Sequence, residues 1–412
     1  MLTSATLLGS SSGRNAGDAA LISGIMEAVD REIGKPLRYE IPTPRPAYIR
    51  ENYPNHPTPI SMMPWSGSIK MLGLPTLRSI LRTDITLIFD AILFDRSLYN
   101  PLFNFLSSLY LMLPFARKRG KRMACYNVGT GPVNTPAGRR MLRELMELMD
   151  FVAVRDRDSY NILREIGVKN PRILITADAA LNAPASDRAR AAGVLKSVGL
   201  PLDEDILGIN INAYLDTWAG PHITPMGREK FLATYAAALN RLLPQINAPV
   251  LFVCTQHLDI EITRELMGRV KGPKPMALVT NREHNHCDVK AVLSHLALLF
   301  GMRLHCMILA SAERTPVIGL AYQPKNQHYF NTLELPDYCI GFEQFSEERL
   351  YGHLRRGWED RARLRPHLER VIPRLQQRAF KAAELAGALH RGEDMDQAFR
   401  RVAEALGEPV QV

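Results

Sequence analysis

The sequence predicts an α/β fold with two domains, and three observations lead to this expectation. The chain has 412 residues, which is too long for one ordinary hydrophobic core. Short apolar runs typical of buried strands alternate with segments whose apolar residues recur at helical spacing, as at residues 5–9 and 19–29. Polar or glycine-rich stretches follow the apolar runs, and such loops line the ligand crevice of parallel sheets.

Composition limits the class of protein and of partner. Hydrophobic residues make up 46% of the chain and charged residues 23%, which is typical of a globular rather than a disordered protein. The net charge of +9 favours anionic partners, namely nucleotides, phosphorylated substrates, nucleic acid or an acidic membrane surface. Five scattered cysteines, with no secretory signal and no run long enough to span a bilayer, predict a cytoplasmic protein.

The first predicted strand, residues 5–9, leads into a loop rich in Gly, Ser and Asn that precedes the helix at 19–29. This arrangement offers backbone N–H groups and a helix N-terminus to an anion or a polar sugar. Asp18 is placed to cap the helix through its carboxylate. Residues 41–63 hold many prolines and predict an irregular surface segment.

Residues 101–122 allow two interpretations. An apolar and aromatic stretch is followed by five cations within six residues, 117–122. One interpretation is a buried helix whose basic end complements the helix dipole. The other is a helix that contacts a membrane interface, with the basic cluster on anionic headgroups, so that the protein is peripheral at the inner face of the plasma membrane.

Three further strands are predicted in the first half, at residues 123–128, 151–154 and 171–176, and two in the second, near 206–211 and 250–254. The best candidate boundary is at 182–187, where Pro184 interrupts the apolar pattern. We therefore predict domains at 1–184 and 185–350. Residues 351–412 predict an Arg-rich helical extension with breaks at Pro366 and Pro373.

The most informative stretch is residues 296–325. A buried strand at 296–300 is followed by Arg303 and His305, a helix of small residues, a second strand at 317–321 and a loop with Lys325. The pair Arg303 and His305 follows the end of one strand and Lys325 follows the end of the other, so we expect all three at one rim of a parallel sheet. Two cations and an imidazole there suit a small, multiply anionic ligand.

Together these segments resemble the polysaccharide pyruvyl transferase family. The resemblance covers nearly the whole chain, and it departs from the family pattern at Gln323 and Ala179, where an acidic residue and a proline are usual. The matching motifs are Asn15-Ala16-Gly17-Asp18, Gly129-Thr130-Gly131-Pro132, Val154-Arg155-Asp156 with Ser159, Asp178-Ala179-Ala180, Arg303-Leu304-His305 and Tyr322-Gln323-Pro324-Lys325.

The resemblance implies a GT-B-like glycosyltransferase architecture, in which two Rossmann-like domains face a cleft and C-terminal helices follow. The first domain would take the acceptor and the second phosphoenolpyruvate. The reaction it implies transfers the pyruvyl group of phosphoenolpyruvate to two sugar hydroxyls. A cyclic ketal forms and phosphate is released during biosynthesis of an exopolysaccharide or a cell-surface glycan, on a sugar or lipid-linked oligosaccharide. That chemistry requires no metal and no redox cofactor.

The same motifs suggest roles for individual residues. Arg303 and Arg155 would bind the donor's carboxylate and phosphate, because the planar guanidinium binds both groups through paired hydrogen bonds. Arg157 could replace Arg155, and Lys325 with Tyr322 would assist. His305 would protonate the donor's methylene carbon, since an imidazole titrates near neutral pH. The candidates for binding the acceptor or taking its proton are Asn15, Gly17, Asp18 and Asp178.

Two other functions fit parts of the sequence. A glycosyltransferase with a nucleotide-sugar donor would also place Arg and Lys near a diphosphate. A nucleic-acid-binding protein is suggested only by the basic charge, and no nucleic-acid motif is visible. The histidines at 284 and 286, beside Cys287 and Asp288, are more typical of a loop with incidental histidines than of a metal site.

Overall fold

The chain folds around two parallel β-sheets, each in a compact unit of its own. In the computed structural model, the described residues are 1–53, 56–61, 73–95, 105–213 and 226–407. The first unit comprises Met1–Gly13, Asp18–Pro184 and Leu375–Val412. The second comprises Arg14–Gly17 and Ala185–Arg374. The α/β class expected from the sequence is confirmed, with two sheets that both have helices between their strands.

The sheet of the first unit has seven parallel strands in the order β3-β2-β1-β4-β5-β6-β7. The inner strands are buried along most or all of their length, as expected for a sheet covered on both faces. The chain leaves β1 to one side and later returns to its other side, so the strand order reverses there. The strands are β1 (Ser4–Leu8), β2 (Arg38–Thr43), β3 (Thr58–Ser61), β4 (Ile85–Ile88), β5 (Arg122–Val128), β6 (Val152–Val154) and β7 (Ile173–Ile175).

Helices connect these strands, and several of them have side-chain caps at the N-terminus. Thr135 accepts a hydrogen bond from the backbone of Gly138, and Asp156 accepts one from Ser159. The helices are α1 (Ala16–Ile33), α2 (Pro46–Asn52), α3 (Leu74–Arg82), α4 (Phe105–Lys118), α5 (Pro136–Glu147) and α6 (Arg157–Glu165).

The expectation that residues 41–63 lack regular structure is wrong for the described part of that stretch. It contains the end of β2, helix α2 and strand β3, while residues 54–55 and 62–63 lie outside the described residues. Two of the prolines occupy tolerated positions, since Pro46 begins α2 and Pro59 lies in the edge strand β3, whereas Pro42 lies in the inner strand β2. Proline content was therefore a poor guide to irregular structure here.

The sheet of the second unit has six parallel strands in the order β10-β9-β8-β11-β12-β13. This is the doubly wound order of nucleotide-binding folds, with its reversal between β8 and β11. The strands are β8 (Ile206–Asn210), β9 (Val250–Cys254), β10 (Met276–Thr280), β11 (Leu296–Gly301), β12 (Val317–Ala321) and β13 (Cys339–Gly341). The helices are α7 (Arg188–Ser197), α8 (Arg228–Ile246), α9 (Ile260–Arg269), α10 (His286–Leu293), α11 (Leu304–Ala312) and α12 (Pro324–Thr332).

The C-terminal segment is helical, as expected, but it does not break where the sequence predicted. Helix α13 (Glu347–Arg391) continues through Pro366 and Pro373, and α14 (Met395–Ala405) follows. A proline removes one helical hydrogen bond. Apolar side chains buried along this helix, Leu364, Leu368, Val371 and Ile372, outweigh that loss. The segment is shared between the units, because Leu375–Val412 belongs to the first unit and the preceding residues to the second.

Helix α4 matches the buried-helix interpretation over most of its surface. Phe105, Leu106, Leu109 and Leu113 are buried in the apolar core of the first unit. Residues 101–104 of the predicted segment lie outside the described residues. Within the described part of the chain, no helix combines the length and apolar character required to cross a membrane.

Candidate active site

The strand reversal of the second sheet places Arg303 beside the carboxyl end of β8. Ligands of open α/β sheets bind where the strand order reverses. The backbone N–H of Arg303, two residues beyond β11, donates to Asn210 Oδ1 at 2.9 Å. The Nδ2 of buried Asn210 donates to the carbonyl of Val253 at 2.9 Å. Asn210 therefore joins β8, β9 and the segment that carries Arg303.

The guanidinium of Arg303 is held by a buried aspartate. Its Nε donates to Asp259 Oδ2 and its Nη2 to Asp259 Oδ1, both at 2.7 Å. Asp259 Oδ1 also accepts the backbone N–H of Ala213 at 3.0 Å, and the side chain of Asp259 is 0% exposed. A two-point pair of this kind fixes the plane of the guanidinium. Arg303 is thus oriented before any ligand arrives.

Tyr322 and Lys325 follow β12, the strand next to β11. Tyr322 is buried, and burial raises the pKa of its hydroxyl. The neighbouring positive charge of Arg303, and a hydrogen bond that its guanidinium donates to the Tyr322 hydroxyl, act in the opposite direction on that pKa. Lys325 is exposed in the first turn of α12. The structure therefore brings Arg303 and Tyr322 into one network and places Lys325 in the first turn of a nearby helix of the same unit.

The N-terminal segment Arg14–Gly17 lies along the carboxyl ends of β9 and β10. The N–H of Ala16 donates to Thr255 at 2.8 Å. The carbonyl of Arg14 accepts from the N–H of His257 and from Asn281 Nδ2, each at 3.0 Å. These bonds fix the segment Arg14–Gly17 to the same rim of the sheet as Arg303, within the second unit.

Gly17 touches His305 directly. A Cβ atom added to Gly17 would lie 2.2 Å from Cβ and Cγ of His305, which no real side chain tolerates. The glycine is therefore required for the imidazole to approach the first turn of α1. Of the residues that the sequence suggested, Asn15, Gly17, Arg303, His305, Tyr322 and Lys325 all belong to the second unit.

Asn15, rather than Asp18, is the N-terminal cap of α1. Its Oδ1 accepts the N–H of Gly17 at 2.9 Å, while Asp18 is the third residue of the helix. Asp18 therefore lies inside the first turn rather than at the N-cap position that the sequence predicted. A capping side chain must come from the residue that precedes the first helical position, and α1 begins earlier than its apolar pattern indicated.

The remaining candidates lie in the first unit, where Arg155 is surrounded by carboxylates. Its Nη1 lies 3.2 Å from Asp178 Oδ2 and its Nε 3.4 Å from Asp156 Oδ2. Burial tends to lower the pKa of Arg155, but Asp178, Asp156 and Asp90 raise it, so the side chain stays charged. Gly129 lines this position, because a Cβ there would lie 2.9 Å from Arg155 Nη2.

The other first-unit candidates differ in how strongly the fold already engages them. Asp178 Oδ1 accepts the N–H of Ala180 at 3.0 Å, so both of its oxygens have protein partners. Arg157, the alternative to Arg155, is exposed at the beginning of α6 and lies over the ring of Tyr160. Asp18 is partly exposed in the first turn of α1.

Asp259 and Asn210 are the site residues that the sequence did not reveal. Asp259 lies five residues beyond β9, in a 3₁₀ turn formed by His257–Asp259. A polar residue just past a predicted strand end was the available signal, and the same rule had selected Arg303.

The histidine-rich loop is a structural element. Asp288 pairs with Arg190 at 3.0 Å, and burial lowers the pKa of His286 to about 4. Among the described residues, no group of three or more His, Cys, Asp or Glu side chains is arranged to hold a metal ion.

Comparison with solved structures establishes the class of fold. A putative UDP-N-acetylglucosamine 2-epimerase from Listeria monocytogenes matches with a TM-score of 0.60 at 11% identity, covering 96% of this chain and 98% of that one. UDP-GlcNAc 2-epimerase from Methanocaldococcus jannaschii matches with a TM-score of 0.56 at 11% identity, covering 85% and 91%. ADP-heptose heptosyltransferase II from E. coli has a TM-score of 0.50 at 12% identity, covering 88% and 100%. The chain therefore has the GT-B fold.

The family follows from the sequence itself. The model of the family described as polysaccharide pyruvyl transferase matches residues 15–324, three quarters of the chain. This protein belongs to the polysaccharide pyruvyl transferase family. No curated protein matches the chain. The match begins at Asn15 and includes Arg155, Arg303 and His305.

Proposed function

We propose that the protein transfers the pyruvyl group of phosphoenolpyruvate to two hydroxyls of a sugar, forming a ketal in a polysaccharide or cell-surface glycan. The observation that carries this proposal is the position of Arg303 and His305 at the strand reversal of the second sheet, within a chain of this family. That position is where an open α/β sheet binds its ligand.

Arg303 is suited to the donor because Asp259 already fixes its orientation. Phosphoenolpyruvate carries a carboxylate and a phosphate, and a guanidinium binds either group through charge-assisted hydrogen bonds. Pre-orientation lowers the entropy that binding would otherwise cost. The pair with Asp259 also balances the charge of Arg303 when the site is empty. Tyr322 and Lys325 are the proposed supporting contacts.

His305 is the proposed acid. In the proposed reaction, it gives a proton to the methylene carbon of the donor, and a sugar hydroxyl adds to the neighbouring carbon. The second hydroxyl then displaces phosphate from that carbon and completes the ketal. The protons of the two hydroxyls replace the one given by His305 and the one taken up with phosphate. No metal or redox cofactor is needed in this scheme.

The acceptor is assigned to the motif residues of the first unit and of the N-terminal segment. Asp18 is the proposed base, because Asp178 is already engaged by Arg155 and Ala180. Asn15, Gly17 and Asp178 would shape the acceptor side. We also propose that Arg155 binds the donor, because it lies in a motif of the family.

The test compares phosphoenolpyruvate binding and turnover in matched variants. Calorimetry with phosphoenolpyruvate should show binding to the wild type and to His305→Ala. In Arg303→Ala, we expect about ten- to hundredfold weaker binding, since hydrogen bonds to a charged partner are lost. Arg361→Ala is the control, because Arg361 forms an exposed pair with Asp205. Phosphate release with a panel of nitrophenyl glycosides as acceptors should fall by roughly 10²–10⁴ in His305→Ala.

The runner-up function is a nucleotide-sugar glycosyltransferase. The crystal structure of HepE from Anabaena, with a TM-score of 0.53 at 11% identity, is described as a complex with UDP-glucose. If this chain binds UDP-sugars and releases UDP but does not bind phosphoenolpyruvate, the pyruvyl transferase proposal is wrong. Full phosphate release by His305→Ala would remove that residue from its proposed role.

We also propose a cytoplasmic location. The odd number and irregular spacing of the five cysteines favour a reducing compartment. Contact of residues 101–122 with the inner face of the plasma membrane belongs to the same proposal.

A further inference from the structure

Most of helix α4 is buried in the first unit, but one side of it exposes apolar side chains. Leu111 is 73% exposed and Phe115 is 41% exposed, at a spacing of four residues. Lys118, the last residue of α4, and Arg119, which follows it, are exposed as well. Residues i, i+4 and i+7 lie on one side of a helix. These four side chains are the α4 face.

The apolar members of this face contrast with the rest of the helix. The other large apolar side chains of α4, apart from half-buried Tyr110, pack into the core of the first unit. In the described part of the chain, large apolar residues are exposed at six positions, and two of these are Leu111 and Phe115 on the α4 face. Neighbouring exposed apolar residues mark interaction surfaces more often than single ones do.

The segment that carries this face also has a strong excess of positive charge. Residues 105–147, from the start of α4 to the end of α5, contain eight Lys and Arg against two Glu, a net +6 of the chain's +9. Helices α4 and α5 pack together, and the hydroxyl of Tyr110 donates to Glu144 at 2.5 Å. Arg140 also pairs with Glu144 at 2.7 Å, which reduces the negative charge on this surface.

Only part of the basic cluster faces outward. Arg117 pairs with Asp150, Lys121 donates to the carbonyl of Thr83, and Arg122 donates to Leu389. Those three cations therefore stabilise the fold. Lys118 and Arg119 remain exposed beside Phe115, and the guanidinium of Arg119 lies 3.6 Å from the centre of the Phe115 ring. Arg143 on α5 is a further exposed cation.

We propose that the α4 face docks the protein on an anionic lipid bilayer. Leu111 and Phe115 would enter the boundary between headgroups and acyl chains, while Lys118, Arg119 and Arg143 contact anionic headgroups. Apolar side chains at the centre with cations at the edge match a bilayer surface. Nucleic acid would instead favour cations that alternate with stacking aromatics, and Leu111 would contribute nothing there.

Docking of this kind goes beyond the proposed reaction and does not depend on it. Helix α4 would lie on the surface, in agreement with the finding that no described helix can cross a membrane. A lipid-linked sugar acceptor would be one reason for such contact. The proposed docking surface consists of the α4 face and Arg143 of α5. Within the segment 101–122, it assigns membrane contact to the α4 face alone.

Vesicle flotation with the full chain tests the proposal. The wild type should float with vesicles of phosphatidylglycerol and phosphatidylcholine, less at high salt, and should not float with phosphatidylcholine alone. Two double variants, Leu111→Ser with Phe115→Ser and Lys118→Glu with Arg119→Glu, should each bind the anionic vesicles at least about tenfold more weakly. All four positions are exposed, so folding should be unaffected.

Matched controls separate docking from general charge or hydrophobicity. Lys230→Glu with Arg349→Glu makes the same change in charge at exposed positions of the second unit, and Leu202→Ser removes an exposed leucine. Both should bind like the wild type. The proposal is wrong if the wild type ignores anionic vesicles, or if the α4 variants bind as the controls do. Duplex DNA binding that is lost only in the charge-reversal variant, without vesicle binding, would favour nucleic acid instead.

Discussion

Asp259 fixes the orientation of the Arg303 guanidinium. A lone arginine can take many orientations, but two hydrogen bonds to one buried carboxylate leave a single plane. The carboxylate is itself held by the N–H of Ala213 and is excluded from solvent. Asp259 therefore acts as a positioning residue, since its role in the proposed reaction passes through Arg303.

Replacing Asp259 by asparagine should impair donor binding before it impairs chemistry. The amide offers one oxygen where the carboxylate offered two, and it leaves the Arg303 charge without a full partner. We expect a ten- to hundredfold rise in the KM for phosphoenolpyruvate, with a smaller change in kcat. Steady-state kinetics with varied donor concentration measure this split.

The matched control for that experiment is Asp205→Asn, which disrupts the exposed pair with Arg361. Exposed pairs contribute little, so its kinetics should equal those of the wild type. An unchanged KM in Asp259→Asn would show that the pair does not position Arg303. A general loss of folding would instead lower the amount of active enzyme without changing KM.

At the residue scale, the sequence predicted Arg303 and His305 but could not predict their partners. Arg303 follows a recognisable apolar strand and lies in a family motif, so its neighbourhood was visible in one stretch. Asp259 is 44 residues away, and only the pairing of β9, β8 and β11 brings it close. The requirement for glycine at Gly17 was hidden for the same reason, because His305 lies far along the chain.

At the scale of elements, the C-terminal part of α13 completes the first unit. Asn127 Nδ2 donates to the carbonyl of Ala379 at 2.9 Å, and its Oδ1 accepts from Thr176 Oγ1 at 2.6 Å. The buried Asn127 has φ +50°, a left-handed conformation that Asn and Gly tolerate best. One side chain thus joins β5, the end of β7 and α13.

Changing Asn127 to alanine and to glycine should separate its two contributions. Both changes remove the hydrogen bonds to Ala379 and Thr176, each of which contributes about 0.5–1.5 kcal/mol to stability. Alanine adds the penalty of the left-handed conformation, roughly 1–2 kcal/mol, whereas glycine does not. Hydrogen exchange of the strands of the first unit should therefore show Asn127→Ala as the less stable variant.

Asn134→Ala, at an exposed position, is the control and should behave like the wild type. Equal protection in Asn127→Ala and Asn127→Gly would mean that the backbone conformation costs nothing. Wild-type protection in both would mean that the bonds to Ala379 and Thr176 are dispensable.

The sequence predicted elements well where apolar runs are short and bounded, as at β1, β5, β9 and β11. It failed at residues 41–63 and at the prolines of α13, because tertiary burial and edge position decided the outcome there. Strand β2 was missed because Pro42 lies within it, although its residues are mostly buried. The local sequence pattern cannot show that burial of neighbouring residues compensates for a proline.

At the scale of the whole molecule, the second unit should be the more acid-sensitive of the two. It contains two buried histidines, His286 and His353, and burial lowers the pKa of each to about 4 from its ordinary 6.5. His353 packs edge-on against Phe300 in the core of that unit. Neither imidazole takes up a proton near neutral pH while the unit is folded.

Stability should therefore fall as the pH drops from 6.5 toward 4. In that interval the unfolded chain binds a proton at each histidine and the folded chain does not, so acid favours unfolding. Between pH 7.5 and pH 5, we expect a loss of about 2 kcal/mol per histidine in the free energy of unfolding. Urea unfolding of the second unit at each pH, monitored by hydrogen exchange of β8 and β11, measures this loss of stability. His353→Asn should remove the contribution of His353, about 2 kcal/mol, from the pH-dependent part of the free energy of unfolding, even if it lowers stability at pH 7.5. His56→Asn, at an exposed position of the first unit, should leave that part unchanged. If the free energy of unfolding of His353→Asn changes with pH as steeply as that of the wild type, His353 is not a group that takes up a proton on unfolding.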